Sequence, residues 1–184
     1  NMKNNYIFII VCLAIFIGLK LVYPYLDTDF MRFLLTPTNK IVEIISGSKA
    51  IYNPTNGYFY PELNIVINKS CSGYNFWLIS FLITTFVLFK SEIIKKRQII
   101  PLALLLSYIT TPLVNTSRII GYMIMIDSKT TSITTLETER IHQMEGILVY
   151  LTFLILIYIS LNYIVNKIRH NYEKTTQSEV DIID

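Results

Sequence analysis

Apolar residues along this chain gather into four blocks, separated by stretches that differ in length and charge. The first runs from Tyr6 to Tyr25, interrupted only by Lys20, and closes on Tyr23-Pro24-Tyr25, an aromatic end suited to a membrane interface. The second, Gly73 to Phe89, carries no formal charge. The third, Ile99 to about Val114, holds Pro101 in its first turn, where proline is tolerated. Its pattern falters at Thr110-Thr111-Pro112 and resumes from Ile119 to Ile126. The fourth runs from Ile141 to Val165. Each block is about long enough to cross a bilayer as a helix. The pattern therefore predicts an all-α integral membrane protein of about four transmembrane helices. For the first block a secretory signal peptide competes, since a basic Lys3 precedes the apolar core. No small-x-small cleavage site follows it, so it is read as a retained helix.

Residues 27–70 form the longest polar stretch between blocks. Asp27-Thr28-Asp29 can cap a short helix through Phe30, Phe33 and Leu34, ended by Thr36-Pro37. Ile41, Ile44 and Ile45 then recur at helical spacing, as in a segment lying along an interface. Asn53-Pro54-Thr55-Asn56-Gly57 is a strong turn signal. After it, Tyr58-Phe59-Tyr60 and Leu63 to Asn68 read as short strands, either a small hairpin or an irregular loop. Residues 1–170 make one helical membrane domain, and residues 171–184 read as a disordered polar tail.

Charge sets the orientation. Lys90, Lys95, Lys96 and Arg97 assign the loop after the second block to the cytoplasm, and Lys167 and Arg169 do the same for the C-terminal end. Both ends of a four-span chain then lie inside, and residues 27–70 face outside. The formal net charge of +3 is too small and scattered for a nucleic-acid partner. With 52% hydrophobic residues, 16% charged and a mean hydropathy of +0.46, the partner solvent is lipid.

In this topology Cys71 sits outside, at the lip of the second span. From Arg97 to Arg118 a helix rises about 31 Å, roughly one hydrocarbon thickness, so Arg118 reaches the same lip. His142 opens the fourth span from that side. A thiolate is a nucleophile, and a nearby cation raises its share over thiol. Imidazole serves as general acid and base, and arginine stabilises an oxyanion or holds a carboxylate. Acyl transfer through a thioester is the reaction these three serve. Each also has a plain structural reading: a boundary cysteine, a snorkelling arginine, a polar helix start. Cys12, inside the first block, reads as a small hydrophobe. No Cys-x-x-Cys pair suggests an oxidoreductase, and His142 and His170 lie at opposite faces, which disfavours a metal site. No cofactor is expected.

Cys71-Ser72-Gly73 opening a span, Asn115-Thr-Ser-Arg118, and His142 with Gly146 opening a later span resemble, in that order, the exosortase/archaeosortase family of membrane cysteine transpeptidases. The likeness covers about residues 60–160. The chain is shorter than most of that family and is similar to its small, exosortase K-like variants. The resemblance implies a multi-pass protein of the bacterial inner membrane with its active site at the outer face. Its substrates would be exported proteins with a C-terminal sorting signal: a motif, a transmembrane helix and a basic end. It implies Cys71 as nucleophile, His142 as acid and base, and Arg118 as stabiliser of the intermediate or as the group that orients the scissile carbonyl. Asn115, Ser72 and Gly73 would bind substrate, and Asn115, one turn before Arg118, would also orient it. Glu145, one turn after His142, would either orient the imidazole or be a solvated acid, and the solvated acid is the preferred reading. The alternative is a non-catalytic membrane assembly or interaction protein. A transporter is disfavoured by the scarcity of ionisable residues at mid-span.

Overall fold

The computed structural model describes the backbone of residues 2–127 and 135–180, and side chains of residues 5–124 and 144–172. Five helices make up most of it: α1 (Met2–Val22), α2 (Arg32–Ser46), α3 (Tyr74–Ser91), α4 (Lys96–Asp127) and α5 (Thr135–Val180). Among the described residues, four stretches are long and apolar enough to cross a membrane: Asn5–Tyr25, Lys69–Ser91, Lys96–Ile124 and Met144–Tyr172. This is compatible with a multi-pass membrane protein. The four alternate in direction. Phe8 of α1 stacks on Phe89 of α3 at 5.0 Å, and Arg169 of α5 donates to the Ser91 carbonyl at 2.5 Å. At the opposite end the Tyr74 hydroxyl, at the start of α3, donates to the Leu19 carbonyl of α1. Large apolar side chains on α1 and α5, such as Ile7, Ile10, Ile147 and Leu148, are exposed on the outside of the bundle.

Two proline-bearing segments are continuous helices, where the sequence pattern suggested breaks. Pro37 lies inside α2, which runs unbroken from Arg32 to Ser46 and does not end at Thr36-Pro37. Proline lacks the N–H that would bond the carbonyl four residues back, here Phe33. The Tyr108 hydroxyl of α4 supplies that donor at 3.0 Å, so the helix continues. In α4, Thr110-Thr111-Pro112 is also helical. Thr111 Oγ1 donates to the Ser107 carbonyl at 2.6 Å, and Thr110 Oγ1 to the carbonyls of Leu106 and Ser107. These bonds bind side chain to helix across the turn that proline weakens.

Between α2 and α3 lies a three-stranded antiparallel meander, β1 (Ile51–Asn53), β2 (Gly57–Tyr60) and β3 (Ile65–Ile67), in the order β1-β2-β3. Of the two readings, hairpin or irregular loop, the structure has the β2–β3 hairpin, and β1 is an addition. Asn53 Oδ1 accepts from the backbone N–H of Thr55 and Asn56, closing the turn, and Gly57 leaves it with φ +90°. Tyr60 and Ile67 from the sheet join Met31, Leu34, Leu35 and Val42 of the α2 segment in one core, with Tyr74 and Leu78 of α3. A second core, of Phe81, Val87, Leu88, Ile99, Ala103 and Val165, lies at the far end of the bundle. Helix α5 runs on to Val180, past residue 170, where a disordered tail was expected.

Candidate functional site

Cys71 ends a short 3-10 turn, Lys69–Cys71, that leads from β3 into α3. Asn68 caps this turn: its Oδ1 accepts from the Ser70 backbone N–H at 3.0 Å and from Ser70 Oγ at 2.6 Å. Lys69 fastens the turn to the end of α1. Its Nζ donates to the Leu26 carbonyl at 2.6 Å and lies over the Tyr23 ring, while the Tyr23 hydroxyl donates back to the Lys69 carbonyl. Cys71 is a half-buried free thiol, with Ser70 Oγ 3.8 Å from its sulfur. Cys12 is a free and buried thiol.

Gly73 then sits in the left-handed region at φ +73°, a conformation open to glycine and costly for other residues. A Cβ there would lie 3.1 Å from both Asn115 Cγ and Thr111 Cγ2 of α4. The missing side chain lets α4 approach, and Asn115 uses the proximity. Its Nδ2 donates to the Cys71 carbonyl at 2.5 Å, and its Oδ1 accepts from the Tyr150 hydroxyl of α5 at 2.8 Å. Arg118 Nη1 in turn donates to the Tyr150 oxygen at 3.2 Å, with its guanidinium over the Tyr150 ring. A chain of hydrogen bonds thus runs from the cysteine turn through α4 to α5 and back to the arginine one turn further along α4.

Two glycines let α4 and α5 approach closely around this chain. A Cβ on Gly146 of α5 would lie 2.6 Å from Arg118 Nε, and one on Gly121 of α4 would lie 2.8 Å from Glu145 Oε1. Each helix opens a notch for the other's charged residue. Both Glu145 carboxylate oxygens are buried and without a hydrogen-bond partner among the described residues, so Glu145 is not the solvated acid the sequence suggested. Its burial follows from the Gly121 notch.

The side chains expected to bind substrate are occupied within the fold. Asn115 is fully buried, with both ends of its amide engaged; it orients Arg118 through Tyr150. Ser72 is buried, and its Oγ accepts from the Tyr74 backbone N–H at 3.3 Å. Gly73 does line a cavity of about 360 Å³, together with Ser70, Asn75, Arg118, Gly146 and Tyr150. Cys71 lines a neighbouring cavity of about 300 Å³, and Ser70 belongs to both. His142 belongs to α5, one helical turn before Glu145 and Gly146, and its side chain lies outside the described residues.

Tyr150, which joins Asn115 to Arg118, is the member of this hydrogen-bond chain that sequence reasoning missed. Its signal was present: it falls one turn after Gly146 and two after His142, on one face of α5. No protein-family model matches the chain, nor does any curated protein or solved structure.

Proposed function

We propose that this chain is a membrane-embedded cysteine peptidase or transpeptidase that cleaves C-terminal sorting signals of exported proteins, working at the outer face of a bacterial inner membrane. One observation carries the reading: Asn115 and Tyr150 hold the Cys71 main chain and the Arg118 guanidinium on one hydrogen-bonded frame. A thiol-bearing turn and a fixed cation, each beside a cavity, suit acyl transfer. The order of Cys71, Asn115 to Arg118, and His142, which resembles the exosortase/archaeosortase pattern, supports the same reading.

In the proposed reaction the Cys71 thiolate attacks the carbonyl carbon of the scissile peptide, and the carbonyl oxygen takes up the negative charge. Arg118 stabilises that oxyanion. The C–N bond breaks, His142 gives its proton to the leaving amine, and the substrate's N-terminal part remains as a thioester on Cys71. An acceptor amine, or water, loses a proton to His142 and attacks the thioester carbonyl, and the thiolate leaves. The released piece is the substrate's transmembrane helix with its basic end, which leaves laterally through lipid.

A non-catalytic membrane assembly protein is the second reading. It is favoured by how fully Asn115 is used inside the fold, because a staple joining α3, α4 and α5 needs nothing more. The two part in a cell-based assay with a reporter bearing a motif, a transmembrane helix and a basic end. Cys71→Ala, Arg118→Ala and His142→Ala, each at wild-type membrane levels, are expected to abolish processing. Processing that survives Cys71→Ala removes the nucleophile and leaves the assembly reading.

A further inference from the structure

Strand β3 stands at the edge of its sheet and, among the described residues, pairs with β2 alone. An edge strand keeps a row of backbone donors and acceptors open to a further strand. The consecutive residues Asn64 to Asn68 all line the 300 Å³ cavity. Side chains of a strand alternate between its two faces, so a cavity touched by all three β3 residues, Ile65 to Ile67, and by the flanking Asn64 and Asn68 lies against the strand's edge. The alternation itself is visible: Ile67 is buried in the core, while Val66 is 43% exposed. Helix α4 forms the opposite wall with Ile119 and Tyr122, and Cys71 closes one end. Through Ile65 this space continues into a cavity of about 640 Å³, lined by Leu63, Ile120, Met123 and Ile124. The result is a groove with a hydrogen-bonding rail on one side, an apolar wall on the other, and a thiol at its end.

Building on the peptidase reading, we propose that the substrate docks in this groove as a fourth strand, its backbone pairing with the open edge of β3. Direction follows from the membrane: the substrate's transmembrane helix begins after the scissile bond and must enter lipid alongside α3, which starts just beyond Cys71. The residues before the cut therefore run with β3, from Asn64 towards Cys71, as a parallel strand. Main-chain bonds hold the peptide in register, and the α4 wall selects apolar side chains upstream of the cut. Only every second residue of the bound peptide bonds to β3.

The test uses the full-length protein in detergent and follows alkylation of Cys71, identified by the mass of its peptide. The probes are iodoacetamide, Ac-Ala-CH2Cl, Ac-Ala-Ala-Ala-Ala-CH2Cl and the tetrapeptide reagent N-methylated at each position in turn. The tetrapeptide reagent is expected to label Cys71 about tenfold faster than the single-residue reagent, as a few backbone hydrogen bonds would provide. N-methylation is expected to cancel much of that gain at alternate positions and little at those between. Equal rates for the long and short reagents, or N-methyl effects without a two-residue alternation, overturn the docking mode. Iodoacetamide reports whether the thiol is reachable at all. The reporter assay judges the peptidase reading separately, so the two proposals can fail independently.

Discussion

Arg118 and Gly146 fit as a side chain and its notch: a methyl group on Gly146 would lie 2.6 Å from the arginine's Nε. The atom in the way belongs to a side chain and not to backbone, so Gly146→Ala would displace the guanidinium and leave the helices in place. Alanine's better helix propensity, about 1 kcal/mol, offsets much of the crowding cost. Thermal unfolding of Gly146→Ala is therefore expected to stay near wild type, while reporter processing falls as far as in Arg118→Ala. A large drop in melting temperature would mean that the notch serves packing alone.

Asn115 is the joint of the hydrogen-bond chain. Asn115→Leu takes the donor from the Cys71 carbonyl and the acceptor from the Tyr150 hydroxyl, whose oxygen still accepts from Arg118. An unsatisfied group of this kind costs about 1–3 kcal/mol when buried. Tyr150→Phe breaks the same chain further along. Denaturation of both single variants and the double variant is expected to show a double loss smaller than the sum, because both remove the Asn115–Tyr150 bond. Strict additivity would argue against a connected chain.

Pro37 and Tyr108 form a compensated pair across α2 and α4. Tyr108→Phe is expected to cost about 1–3 kcal/mol, since it strips the side-chain donor that reaches the Phe33 carbonyl. Pro37→Ala restores a backbone N–H to that carbonyl. It is expected to stabilise the Tyr108→Phe background more than it does the wild type, and melting temperatures of the four proteins measure the difference.

Glu43 couples the end of α2 to pH. Its carboxylate accepts the Ala50 backbone N–H at 3.1 Å, and that bond holds it below the ordinary carboxylate range, helped by Lys49 at 3.5 Å. A carboxylate depressed in the folded state contributes stability that is complete above its unfolded pKa, about 4.3, and is lost as pH falls through its folded value. Melting curves between about pH 3 and 6 are expected to fall less steeply with acid for Glu43→Gln than for wild type.

Much of this architecture was legible in the sequence because a long, uncharged apolar run is a helix. The helix opening at Gly73 and the short apolar runs of β2 and β3 after the Asn53–Gly57 turn follow from local patterns. Pro37 misled because the group that compensates for it lies elsewhere in the chain, on Tyr108, and Pro112 misled because α4 runs through it unbroken. Asn115 and Arg118 stood out as polar groups in an apolar helix, yet the tyrosine joining them looked like any other aromatic in an apolar run. Glu145 looked solvated because its burial depends on Gly121, more than twenty positions away.

The most direct measurement is mass spectrometry of the Cys71 peptide, taken from membranes in which the reporter is being processed. An acyl-enzyme leaves on that sulfur a hydroxylamine-labile adduct, whose mass is that of the peptide of the reporter's N-terminal part that ends at the scissile carbonyl. Finding this adduct in wild type, and its absence in Cys71→Ser together with loss of processing, is the expected result. Reporter cleavage that continues in Cys71→Ser would contradict a thioester mechanism at this site.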